Sequence, residues 1–142
     1  MAKRLGTPYK RGKSDVIVNY TPKTATGELE GLPVCLNGGE IDAVDNAADV
    51  VIGVSGAFEN GKQSVVKAGL SVLVQLSGDL VIVEGTPVYI DIAAGSPTFK
   101  FTNVPTDNLA VNALFAGAKE AGVDSAGNAY ANCALIDFVG GL

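Results

Sequence analysis

Between residues 71 and 101 the chain alternates apolar and polar positions in four short segments separated by turn residues, the pattern of half-buried β-strands. Val72, Val74 and Leu76 share a face opposite Leu73 and Gln75. Val88, Ile90 and Ile92 oppose Tyr89 and Asp91, and Phe99 and Phe101 alternate with Thr98, Lys100 and Thr102. Residues 80–83 are apolar on both faces, which predicts a central strand. Val72, Val74, Val88, Ile90, Phe99 and Phe101 are therefore the expected core.

The flanking sequence continues this rhythm. Residues 15–20 alternate, with Val16, Val18 and Tyr20 on one side, and predict a first strand; residues 21–30 are polar, contain Pro22 and Gly27, and predict a loop. A strand over 33–36 should end in a type I′ turn at Asn37-Gly38, because both central residues of that turn need positive φ. An acidic stretch over 40–49 leads to a β-branched strand over 50–58, a second Asn-Gly turn at Asn60-Gly61, and a short strand over 63–67. Residues 109–121 carry helix-forming alanines, but Val111, Ala113 and Phe115 alternate and Gly117 interrupts, so a strand is favoured there. A long last strand is expected over 130–138.

Gly31-Leu32-Pro33-Val34 and Gly85-Thr86-Pro87-Val88 share G-x-P-V 54 residues apart, each followed by an Asp-containing loop and a small-residue strand. A duplicated β-unit and common turn chemistry would each produce this. Ten or so short strands with Gly/Pro/Asn turns predict an all-β fold, a small antiparallel β-sandwich, jelly roll or barrel. A single β domain over 15–142 would follow an extended arm over 1–14, which has no strand or helix period and is expected to order only against a partner.

Composition sharpens the partner question. The 142 residues are 47% hydrophobic and 18% charged, which supports a folded domain and suggests that part of its surface is covered. Charge is segregated. Lys3, Arg4, Lys10, Arg11 and Lys13 place five of the ten basic residues in the first thirteen positions, while the 129 residues after them carry five basic and fifteen acidic groups. A basic arm on an acidic body can reach a neighbouring acidic surface, and these five residues are the candidate partner-binding set.

Catalytic and cofactor chemistry finds little support. Histidine is absent, which removes the commonest general base, metal ligand and nucleophile partner. Glu40, Asp42, Asp45 and Asp49 crowd into one stretch, where solvated acids are the expected reading, and their spacing is not that of a calcium loop. Both phosphate-binding glycine motifs are missing, and Lys62 lacks the flanks of a swinging-arm carrier lysine. Cys35 and Cys133 are unpaired in any metal or disulfide pattern and are expected to be buried small hydrophobes in a protein made in a reducing cytoplasm. No apolar run approaches the about 18 residues of a membrane helix, and the N-terminus lacks a secretory apolar core. The acidic body and nine scattered aromatics disfavour nucleic-acid binding. No catalytic residue, cofactor or metal is predicted.

With GLPVCLNGGEIDAVDNAADVVIGVSGAFENGK, VKAGLSVLVQLSGDLVIVEGTPVYIDIAAGSPTFKF and the terminal YANCALIDFVGG, the chain over roughly 30–139 resembles the cement, or head-decoration, proteins of tailed bacteriophages. The shared rhythm is G-x-P-V, a loop, VVIGV, a glycine turn, a valine-rich hairpin, then G-x-P-V-Y-I-D and a Phe/Thr strand. That resemblance implies a non-enzymatic protein, made in the host cytoplasm, that sits on the outside of an icosahedral virion shell and braces it. Its partners would be the major capsid protein and itself, as a homo-oligomer, with a dimer favoured slightly over a trimer. A virion or surface module that recognises a receptor or carbohydrate is the alternative.

Overall fold

A computed structural model describes residues 2–10, 15–23, 30–92 and 99–139. Thirteen strands, and no helix, lie among the described residues. Two short strands come from the arm, β1 (Lys3–Arg4) and β2 (Pro8–Lys10). Five more, β3 (Val16–Tyr20), β4 (Pro33–Asn37), β5 (Glu40–Ala43), β6 (Val51–Glu59) and β7 (Lys62–Ala68), form one sheet in the order β3-β7-β6-β4-β5. The second sheet contains β8 (Leu70–Gln75), β9 (Pro87–Asp91), β10 (Lys100–Thr102), β11 (Leu109–Phe115), β12 (Glu120–Val123) and β13 (Ala129–Phe138), joined by both arm strands. Its central path is β8-β13-β11-β9-β10. The fold is an all-β, two-sheet sandwich.

Set side by side, the two strand orders are the same, and the registers agree at most paired positions, with a one-residue slip where Tyr89 faces Ala110. Val18 faces Val65 as Val72 faces Ile136; Asn19 faces Ser64 as Leu73 faces Leu135; Tyr20 faces Gln63 as Val74 faces Ala134. Leu36 opposite Ile41 matches Ile90 opposite Phe101, and Pro33 opposite Val54 matches Pro87 opposite Leu114. The step between equivalents is 54 residues through β3/β8 and β4/β9, the spacing of the two G-x-P-V motifs. Even the closure repeats. A parallel bridge joins Pro22 to Ile41 in one unit and Leu76 to Phe101 in the other, with Lys23 N–H donating to the Ile41 carbonyl (2.8 Å) and Ser77 N–H to the Phe101 carbonyl (2.9 Å). Each five-strand path thus runs back to its own first strand. The chain is two tandem copies of one β-unit.

The units differ where material has been added. The first turns from β6 to β7 on Asn60 (φ 52°) and Gly61 (φ 74°), the expected type I′ pair between Glu59 and Lys62. The second replaces that turn with β12 and the 124–128 turn, against which β1 lies parallel.

The core is shared between the sheets. Val54, Val66, Cys35 and Val44 of the first pack against Val72, Val74, Val88, Ile90, Phe101, Phe115 and Ile136 of the second. All six expected core residues are buried, at 6% exposure or less.

Three local expectations are corrected. The β4–β5 turn is centred on Gly38 (φ 64°) and Gly39 (φ 83°), one residue late, because Asn37 stays in the ladder opposite Glu40. Residues 80–83 are not a central strand. β9 is not a neighbour of β8, so this apolar run is a crossing loop that buries Ile82 and leaves Val81 and Val83 exposed. Residues 109–121 hold one strand and the start of a second, since 116–119 turns the chain from β11 to β12.

Phe101 fills the second unit at its closure point as Ile41 fills the first. Phe101→Ala should cost about 3–5 kcal/mol and Ile41→Ala about 2–5 kcal/mol by urea denaturation, as buried large-to-small changes do. A loss below about 1 kcal/mol at both would contradict the closed-ring packing.

Candidate interaction surface

Residues 3–10 of the arm are stitched into the body rather than left for a partner to order. Strand β1 pairs with β12 (Lys3 with Gly122, Arg4 with Val123) and β2 with β8 (Pro8 with Val72, Lys10 with Leu70). Between them, Leu5 N–H donates to the Val123 carbonyl (2.9 Å) and Gly6 N–H to the Leu73 carbonyl (2.8 Å). Leu5 is fully buried against Leu73 and Cys133. Gly6 (φ 65°) lies so close to the first sheet that a Cβ there would fall 2.0 Å from the Ser55 carbonyl oxygen. The buried Leu5 side chain and the sheet hydrogen bonds offset the ordering entropy of this segment in part.

Of the five candidate basic residues, Lys3 pairs with Glu120 (2.8 Å) and Arg4 approaches Glu30 (3.9 Å). Lys10 ends β2, and Arg11 and Lys13 lie outside the described residues. Two of the five, Lys3 and Arg4, thus face acidic side chains of the body itself.

The junction behind the arm centres on Glu30, a residue without any sequence signal. Its side chain is fully buried. Ser125 N–H donates to both carboxylate oxygens (3.0 Å each) and Ser125 Oγ donates to one of them. Glu30's own carbonyl accepts from Gln75 Nε2 (2.8 Å), while Gly31 N–H donates to the Ser55 carbonyl (2.7 Å). This residue joins the arm, both sheets and the inserted turn. Burial pushes its carboxyl above the usual value; the Ser125 bonds and Arg4 offset part of that rise. Neighbouring Asp124 behaves oppositely. Burial alone would raise it, but donations from Asn128, Tyr130 and Ala126 hold it below the usual range.

The acidic stretch spends its carboxylates locally. Asp42 accepts from Ala43 N–H (2.9 Å), and Asp49 accepts from the N–H groups of Asp45 and Asn46 (3.2 Å each). Among the described residues no three His, Cys, Asp or Glu side chains converge as a metal site would need. Burial, aided at Cys35 by Asp49 and at Cys133 by Glu120, pushes both free thiols up to about 11, so they are protonated at neutral pH. A polar depression of about 300 Å³ lies beside the β6–β7 turn, lined by Asn19, Ala57, Glu59, Asn60, Lys62 and Ser64. Lys62 there donates to Thr21 Oγ1 (2.7 Å).

What stands out at the surface is apolar. Val81 is 84% exposed, Val83 58% and Val104 44%, and Asn103 Nδ2 donates to the Val81 carbonyl (2.8 Å), which ties these loops together. On the other unit, consecutive residues Val16, Ile17 and Val18 of β3 are 43%, 52% and 36% exposed. No family model matches this chain, and neither the curated proteins nor the solved structures contain a match.

Glu30→Ala would leave the Ser125 amide and hydroxyl without their acceptor and Arg4 without its ion-pair contact, at a cost of about 2–4 kcal/mol. Hydrogen exchange should then show Leu5 and Gly6 losing protection; unchanged exchange there would refute the junction's role. The pH dependence has a definite sign. A folded-state pKa raised above the ordinary 4.5 makes ionised Glu30 a penalty at neutral pH, relieved as pH falls through the raised value. Wild-type Tm should therefore gain on Glu30→Gln as pH drops from about 7 toward about 5.

Proposed function

We propose that this protein is a non-enzymatic cement protein that binds the outer surface of an icosahedral phage capsid, contacts the major capsid protein, and stabilises the shell. The observation that carries the reading is the exposed valine loop, Val81 and Val83 beside Val104, held in place by the Asn103 bond. Aliphatic side chains presented on an anchored loop gain about 25 cal/mol per Å² when a partner covers them, and the loop loses little entropy on docking. The resemblance across 30–139 and the charge-poor, tandem β body agree with this. Each contact would be weak, and many identical copies on a symmetric shell would add by avidity. Lys3 and Arg4 serve the fold, so charge contact with an acidic seam of the shell is assigned to Lys10, Arg11 and Lys13.

Purified protein mixed with shells that lack it should co-sediment with them and raise their resistance to heat. Val81→Asp with Val83→Asp should weaken attachment about tenfold or more, since each buries a charge against an apolar partner, while Tm of the free protein is unchanged. Alanine at Lys10, Arg11 and Lys13 should remove the salt-sensitive part of attachment. Wild-type protein that fails to attach refutes the proposal.

A further inference from the structure

The tandem repeat makes one asymmetry informative. Strand β8 is the twin of β3, with Val72, Leu73 and Val74 in the register of Val18, Asn19 and Tyr20. The flank of β8 away from β13 is filled by β2, which runs antiparallel to it and pairs at Val72 and Leu70. The twin positions on β3 are Val18 and Val16. Among the described residues β7 is the only strand paired with β3, and no described strand pairs with the flank of Val16–Tyr20 away from β7. Burial follows pairing: Ser71–Gln75 are all buried, whereas Val16, Ile17 and Val18 are exposed.

We propose that the β3 edge pairs antiparallel with β3 of a second copy of this chain, about a two-fold axis, to make an isologous dimer.

Three observations select a second copy as the occupant. The twin edge is already filled by an antiparallel strand, so this edge of the unit admits that geometry, and antiparallel is the direction a two-fold axis generates. The exposed residues are consecutive and so lie on both faces of the strand. A partner strand with the same Val-Ile-Val sequence places apolar side chains on both of those faces. Charge is also self-complementary. Residues 16–22 carry none, Asp15 precedes them, and Lys23 follows, with the Lys67 ammonium 5.0 Å over the Tyr20 ring at the same end. Antiparallel pairing brings Asp15 of one copy toward the lysine end of the other, while parallel pairing would stack like charges. The strand also lacks the Lys or Pro that guards many natural edges. On an acidic body, a charge-free strand is where two copies can approach closely.

This pairing does not depend on shell attachment, and its primary test uses the free protein. Light scattering behind size exclusion should give twice the 14.4 kDa chain mass for the wild type. Hydrogen exchange should show Ile17 and Asn19 amides protected. Ile17→Lys, at an exposed position, should yield a monomer that still melts cooperatively, at a Tm lowered only by the lost dimer linkage, and should lose that protection. Asp15→Lys should weaken the dimer about tenfold, and adding Lys23→Glu to the same chain should restore it. A wild-type monomer, a trimer, or a dimer that survives Ile17→Lys overturns the proposal. So does β3 protection that appears only on shells, which would assign the edge to a capsid strand instead. Should Ile17→Lys fail to fold, the Asp15/Lys23 exchange decides: no weakening, or no restoration, overturns it.

Discussion

A strand at the edge of a sheet leaves a row of backbone donors and acceptors without partners, and this molecule is shaped by how it answers that constraint. Each five-strand unit bends its last strand back to its first, through Ile41 and Pro22 or Phe101 and Leu76, and the apolar closure residues fill the space this creates. A single bridge closes only one end of a ring, so the flank of the first strand is left over. In the second unit β2 fills it and Leu5 covers the face beside it. In the first unit no strand among the described residues pairs with that flank. Equivalent backbones thus carry different side chains: Leu73 is buried where Asn19 is exposed.

The arm holds because a second cost has been met at its base. A fully buried carboxylate is unfavourable unless its oxygens are satisfied, and Glu30 is surrounded by the Ser125 amide and hydroxyl with Arg4 at the margin. Ser125 belongs to the segment inserted into the second unit, so that insertion supplies both the strand that β1 pairs with and the donors that tolerate Glu30. The basic character of the N-terminus acquires a structural meaning here. Lys3 and Arg4 pair with Glu120 and Glu30, so two of the arm's cations contribute to holding it against the body.

Much of this was legible because side-chain period and turn chemistry are local. The six core residues lie on alternating strands whose inward face can be read residue by residue, and Asn60-Gly61 forms its turn because positive φ favours those two residues. The G-x-P-V echo marks the duplication, yet only register demonstrates it, since the twins Tyr20 and Val74 or Ile17 and Ser71 share no chemistry. Residues 80–83 misled because an apolar run reads alike whether two neighbouring strands flank it or it crosses an end of the sandwich. Glu30 was invisible for a related reason: nothing in a polar loop shows which acid a distant serine will enclose.

The sequence alone thus determined the class of fold, the inward faces, most turns, the absence of histidine chemistry and the split of charge between arm and body, all of which follow from composition and spacing along the chain. Tertiary structure decided which of two equivalent edges the arm occupies, which cations are used up in holding it, which acid is buried, and which valines face outward. Those outcomes depend on strands far apart in sequence meeting in space, as Glu30 meets Ser125 and Lys3 meets Glu120. Local periodicity carries no information about such meetings.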